Sequence, residues 1–229
     1  MLFSKKYQFI FFCNPKTGTT STEAALKQLD DVQLDHYSMP CLFPERHIPP
    51  TIARAFFTQA EWDAAFKFVF VRHPYDWVVS QYRWNFPPPL FYLKKFYWVP
   101  GRWRDTIREY MTYRQWIHKQ VIDAETVDFL YDFLKRFRCL PNRESLFQYS
   151  YTTNLEGENI VDYIGRFESF DESIAEIQKR LGIELNIPHI NVSKRSSAKD
   201  ALTSDARQRI QELWREDFER LGYSMDAID

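Results

Sequence analysis

The stretch FIFFCNPKTGTTSTEAAL, residues 9–26, decides the fold. Its apolar half, from Phe9 to Cys13 and extending back to Tyr7, is aromatic and β-branched, the pattern of a short strand buried on both faces. A Pro-Lys-Thr-Gly-Thr-Thr-Ser turn follows, and Thr20 with Glu23 matches a helix capping box before Ala24, Ala25 and Leu26. Where a strand runs through such a turn into a helix, unpaired backbone N–H groups and the positive end of the helix dipole point the same way, which suits a phosphate or sulfate. Lys16 adds a mobile cation, and Thr17, Thr19, Thr20 and Ser21 add hydroxyls around Gly18. The plainer alternative is a capped turn in which Gly18 only permits a sharp reversal. The Walker A pattern, GxxxxGK[ST], is not met, because Lys16 precedes Gly18 and no glycine lies five residues upstream of it.

Working outward, KFVFVR at 67–72 repeats the buried-strand pattern, and Pro74 suits the first turn of a helix running through Tyr82. Strand, loop and helix twice over imply a parallel sheet. Arg72 stands at this second strand end, where a nucleoside triphosphatase would offer an Asp for magnesium. Ser80 follows eight residues later, about two turns into the helix. Two anion sites on neighbouring strand ends suggest a nucleotide carrying phosphates at two places.

Beyond residue 84 the character changes. Within 94–119 seven Lys or Arg face only Asp105 and Glu109, with Trp98, Trp103, Tyr110, Tyr113 and Trp116 interleaved. The segment from about 84 to 145 reads as an insertion whose aromatics and cations suit sugars or anionic acceptors, or equally as a helical cap with a wet charged face. Residues 123–139 predict an amphipathic helix. The stretch 147–167 predicts a hairpin turning at Glu156-Gly157 into the strand NIVDYIG. Ser169 and Glu172 predict a second capping box, with Gly182 as the helix stop. A last helix is expected over about 204–221, with Ile210, Leu213, Trp214, Phe218 and Leu221 on one face.

Composition bounds the rest. The chain has 229 residues, 45% hydrophobic and 17% aromatic, enough for one domain, 1–229, with a sizeable core. A net charge of -1 argues against nucleic acid as a partner. Cys13, Cys41 and Cys139 form no CxxC pair, so neither a disulfide framework nor a zinc site is indicated. No apolar run is long enough to span a bilayer and none carries a cleavage pattern, so a soluble, cytoplasmic protein is expected.

Taken together, PKTGTTS (15–21) and RHPYDWVVSQY (72–82) resemble the 5'-phosphosulfate loop and the 3'-phosphate motif of sulfotransferases that use 3'-phosphoadenosine 5'-phosphosulfate, PAPS. DYIGRFESFDESIAEIQKRLGI and PHINVSKRSS are similar to the branch containing heparan and chondroitin sulfotransferases and their bacterial relatives. The resemblance covers both ends of the chain and thins between 84 and 145. It implies an α/β fold: a P-loop-like three-layer sandwich with a central parallel sheet, helices on both faces, and a helical, aromatic insertion.

The resemblance also implies a reaction and its residues. A sulfuryl group moves in line from PAPS to an acceptor hydroxyl or amine, leaving adenosine 3',5'-bisphosphate, PAP, with no metal; the branch points to a carbohydrate hydroxyl, with a lipid or small aromatic acceptor left open. Lys16 would stand by the leaving phosphate, and the backbone of Thr17, Gly18, Thr19, Thr20 and Ser21 would hold it, with Thr20 and Ser21 as hydroxyl donors. Arg72 and Ser80 would take the 3'-phosphate. Lys194, Arg195 and Ser196 would close over the nucleotide, unless they are simply a solvated turn. The branch places a catalytic histidine shortly before the second strand, where this chain has His47; His36 and the carboxylate of Glu45 are its rivals. The role of Arg166, Phe167 and Glu168 stays open between orienting the nucleotide and packing a strand-to-helix corner. Two readings of other classes remain: an ATP-dependent P-loop kinase, and a non-catalytic module that binds nucleotides or polyanions.

Overall fold

The computed structural model describes residues 1–34, 46–87, 108, 111–116, 119–138, 145–188 and 198–226. His36, Glu45, Lys194, Arg195, Ser196 and most of the basic insertion lie outside the described residues.

Both buried-strand patterns are strands, and each leads into a helix. FIFF forms β2 (Phe9–Phe12) and enters α1 (Thr19–Leu26). The second run forms β4 (Phe66–Val71) and enters α4 (Pro74–Asn85). With β1 (Leu2–Ser4), β3 (Gln33–Leu34) and β5 (Tyr163–Arg166) they make a sheet of order β3-β1-β2-β4-β5. The pairs β2·β4 and β4·β5 are parallel, as expected. The other edge is not: β1 pairs antiparallel with both β2 and β3, so the sheet is mixed. Only Lys5–Gln8 separates β1 from β2, a span too short for a crossover, so the chain reverses with Gln8 at φ 49.

Alternation along β2 assigns the layers. Phe9 and Phe11 join Phe68, Phe70, Leu26 of α1, and Ile174 and Ile177 of α6 (Phe170–Leu181) on one face. Ile10 and Phe12 join Val69, Ala53 of α2 (Pro50–Ala53) and Trp62 of α3 (Gln59–Ala64) on the other. A third cluster packs α4 against α5 (Ala124–Phe133), α7 (Ala198–Ala201), α8 (Ser204–Leu213) and α9 (Arg215–Leu221). Helices therefore cover both faces of the sheet.

Four local expectations change. The strand expected over 159–165 starts at Tyr163; the hairpin before it is reduced to one bridge, Thr153 to Asn159, around Gly157. Neither capping box forms. The N-cap of α1 is Gly18, not Thr20, and Ser169 caps α6 without a side-chain hydrogen bond, although Gly182 does end that helix. The segment 123–139 gives α5 followed by a π-helical turn, Leu134–Arg138. The last helix is two, broken at Trp214 (φ -113, ψ 26), whose buried indole N–H donates to the Leu146 carbonyl at 3.1 Å.

Candidate active site

The loop between β2 and α1 is folded around one carbonyl. The oxygen of Asn14 accepts from the Thr17 hydroxyl at 2.8 Å and the Thr19 hydroxyl at 2.6 Å, so two of the four expected hydroxyls turn inward. Thr20 stays exposed and Ser21 half-buried. Lys16 holds φ 65, a left-handed conformation that a residue with a Cβ adopts at a cost and that clusters at functional sites. Gly18 has φ 82, and a Cβ there would meet the rings of Phe170 at 2.9 Å and Phe167 at 3.1 Å, so nothing larger fits without moving them. No side chain caps α1, and the Ser21 and Thr22 N–H groups both reach the Gly18 carbonyl at 3.1 Å. From below, the Trp77 indole of α4 donates to the Pro15 carbonyl at 2.9 Å.

Because β2 and β4 are adjacent and parallel, Arg72 emerges beside this loop. Its guanidinium lies 4.6 Å from the Phe167 ring centroid and 3.8 Å from Asp76, with the side chain only 15% exposed. Ser80 is half-buried on α4, and one turn further Trp84, 61% exposed, has the Lys16 ammonium 4.2 Å from its ring centroid. The structure thus brings Lys16, Gly18, Arg72 and the α4 face together.

His47 packs against the end of β2. Its Nδ1 is 2.6 Å from the Cys13 carbonyl, which can only accept, so Nδ1 carries the proton and Nε2 the lone pair. Burial pushes the imidazole down to about 4, so it is neutral at physiological pH. Beside it Arg46 forms an ion pair with Glu23 at 2.6 Å and donates to the Thr20 hydroxyl at 3.1 Å. Glu23 also accepts from the Cys13 thiol at 3.3 Å, and burial pushes that thiol up to about 11. The Glu23 that suggested a capping box is instead held by Arg46.

The Arg166-Phe167-Glu168 triplet laces a corner. Glu168 accepts from the His73 N–H at 2.7 Å and the Tyr223 hydroxyl at 3.0 Å. Arg166 donates to the Leu221 carbonyl at 2.9 Å and lies over Tyr223, while Phe167 sits under both Gly18 and Arg72.

Sequence reasoning missed Asn14, Arg46, Gln148 and Asp217. Gln148, fully buried, receives the Arg72 N–H at 2.9 Å and donates to the Arg72 carbonyl at 2.8 Å. Asp217, equally buried, accepts from the backbone N–H groups of Gln148 at 3.1 Å and Tyr149 at 2.9 Å. Burial pushes its carboxyl up to about 7 against the pull of those two bonds. Arg46 alone left a signal, as the neighbour of His47.

A model of the sulfotransferase family matches residues 1–224. The chain belongs to the sulfotransferase family. No curated protein and no solved structure matches it. As a member, this sulfotransferase is a transferase of sulfuryl groups, and the resemblance to the carbohydrate branch is consistent with that family. Among the described residues no group of three or more His, Cys, Asp or Glu is arranged to hold a metal, and no helix is long and apolar enough to cross a membrane.

Proposed function

We propose that this sulfotransferase moves a sulfuryl group from PAPS to a hydroxyl of a carbohydrate acceptor by in-line displacement, leaving PAP. The supporting observation is the adjacency of two strand ends: the uncapped α1 N-terminus with Lys16 follows one, and Arg72, with Ser80 on the helix α4 behind it, follows the other. In this reading the sheet and its two helical layers carry a P-loop-like arrangement with an altered loop. The loop suits the anionic 5' end of such a nucleotide. Thr17 and Thr19 turn their hydroxyls onto the Asn14 carbonyl, which stiffens the loop, while Thr20 stays exposed and Ser21 half-buried at the start of α1.

PAPS supplies the activated sulfuryl group and a bisphosphate leaving group. Lys16 leaves the face of Trp84 and neutralises charge developing on the leaving phosphate oxygen. Arg72 forks onto the 3'-phosphate, with the Ser80 hydroxyl as its second donor. His47 accepts the acceptor hydroxyl's proton at Nε2 while Cys13 fixes its tautomer. A nucleotide's negative charge near the imidazole raises its affinity for that proton above the value of about 4 that burial sets. Lys194, Arg195 and Ser196 are assigned to the nucleotide on the resemblance of PHINVSKRSS alone.

The test is thermal unfolding with PAP, and separately with ATP and magnesium, followed by turnover of PAPS. Ligand at 100 times its dissociation constant stabilises the native state by about 2.7 kcal/mol. We expect PAP alone to raise the midpoint, and Lys16→Ala or Arg72→Ala to lower turnover by about 10²–10³-fold. A shift with ATP and magnesium only, or unchanged turnover in both variants, overturns the reading.

A further inference from the structure

Gln148 stands at the start of a 3-10 turn, Gln148–Tyr151, and is far in sequence from both anion loops. Its side-chain amide nevertheless acts as an extra rung of the sheet. It pairs with both backbone groups of Arg72, and its Oε1 also lies 3.4 Å from the Asn14 amide nitrogen. That Asn14 nitrogen donates in addition to the Phe70 carbonyl at 3.0 Å, while the Asn14 Oδ1 is buried and accepts no hydrogen bond among the described residues. Rotating either amide would set oxygen against oxygen, so both orientations are fixed. One buried side chain thereby ties the main chain of Arg72 to the residue whose carbonyl folds the Lys16 loop.

We propose that Gln148 is a positioning residue that sets the spacing between the two anion-binding loops, and so the selectivity for a nucleotide phosphorylated at both the 3' and 5' positions. The inference rests on the donor assignment above. A bisphosphate spans both loops at a separation fixed by its ribose, so a displacement of one loop costs it contacts. A 5'-monophosphate touches one loop and does not sense their separation. A group that merely fills the core would affect both ligands alike through stability.

The experiment compares affinities of the full chain for PAP and for adenosine 5'-monophosphate by calorimetry. Gln148→Met keeps the volume and removes all three hydrogen bonds. It should weaken PAP about tenfold to a hundredfold and leave the monophosphate unchanged. Gln148→Glu keeps the acceptor and loses the donor to Arg72; it should move the ratio the same way, and it carries the test if the methionine variant does not fold. Equal losses for the two ligands, or no loss, overturn the positioning role while leaving PAPS as donor intact. A wild type that binds PAP no better than the monophosphate overturns the donor assignment and this inference with it.

Discussion

On one side of the Asn14–Gly18 loop, Arg46, Glu23, Cys13 and His47 meet through an ion pair, a thiol and an imidazole, and Arg46 is 42% exposed along its side chain. On the other side, Asn14, Gln148 and Asp217 meet through amides and backbone groups, and all three are buried. The first flank responds to charge: an arriving anion changes the energy of Arg46 and of a proton on His47. The second contains directional hydrogen bonds with one carboxylate at its far end, and its output is a distance. In the proposed reaction chemistry belongs to the first flank and alignment to the second.

The largest effect that would separate them is at His47. His47→Gln should lower turnover about 10²–10⁴-fold and leave PAP affinity unchanged, by steady-state rates and calorimetry. If binding falls with turnover, the division between the flanks is wrong. Next is Asp217. Replacing it with Ala orphans two buried N–H groups, each worth about 1–3 kcal/mol, and should lower the urea-unfolding free energy by roughly 2–6 kcal/mol.

The flanks should also have opposite pH slopes. Burial holds His47 near 4, below its ordinary 6.5, so its contribution to stability is complete above 6.5 and is lost as pH falls toward 4. Burial holds Asp217 near 7, above its ordinary 3.8, so its contribution is complete below 3.8 and is lost as pH rises through 7. Melting curves from pH 4 to 8 should show the deficit of His47→Gln widening with rising pH and that of Asp217→Asn narrowing. Slopes of the same sign would erase the contrast. The smallest effect is Glu23→Gln, about 1 kcal/mol by urea unfolding, because the half-exposed Arg46 can turn to water.

The legibility of the sequence follows the same division. FIFFC and KFVFV announced β2 and β4 because a doubly buried strand is a nearly continuous apolar run, with Lys67 the one charged residue in β4, and Pro74 announced α4. The position of Lys16, Gly18 and Arg72 at strand ends was legible because a strand-end loop is local. The strand β1 was not, since three residues carry no period, and the edge it forms made the sheet mixed. The continuous apolar face of 204–221 hid the break at Trp214, which tilts α9 so that Asp217 meets the turn at Gln148. Gln148 and Asp217 are unremarkable in sequence; their partners lie 76 and 69 positions away, and no pattern in a window reports such a pair.

Those separations also govern when the site comes into being. A chain made from its N-terminus releases Lys16 and Gly18 well before Gln148, which reaches back 134 positions to Asn14 and is anchored by Asp217. Contacts of this span close late, after their loop entropy has been overcome. The nascent chain therefore carries the loop's sequence long before its geometry, and nucleotide affinity should appear in one step, when α9 docks.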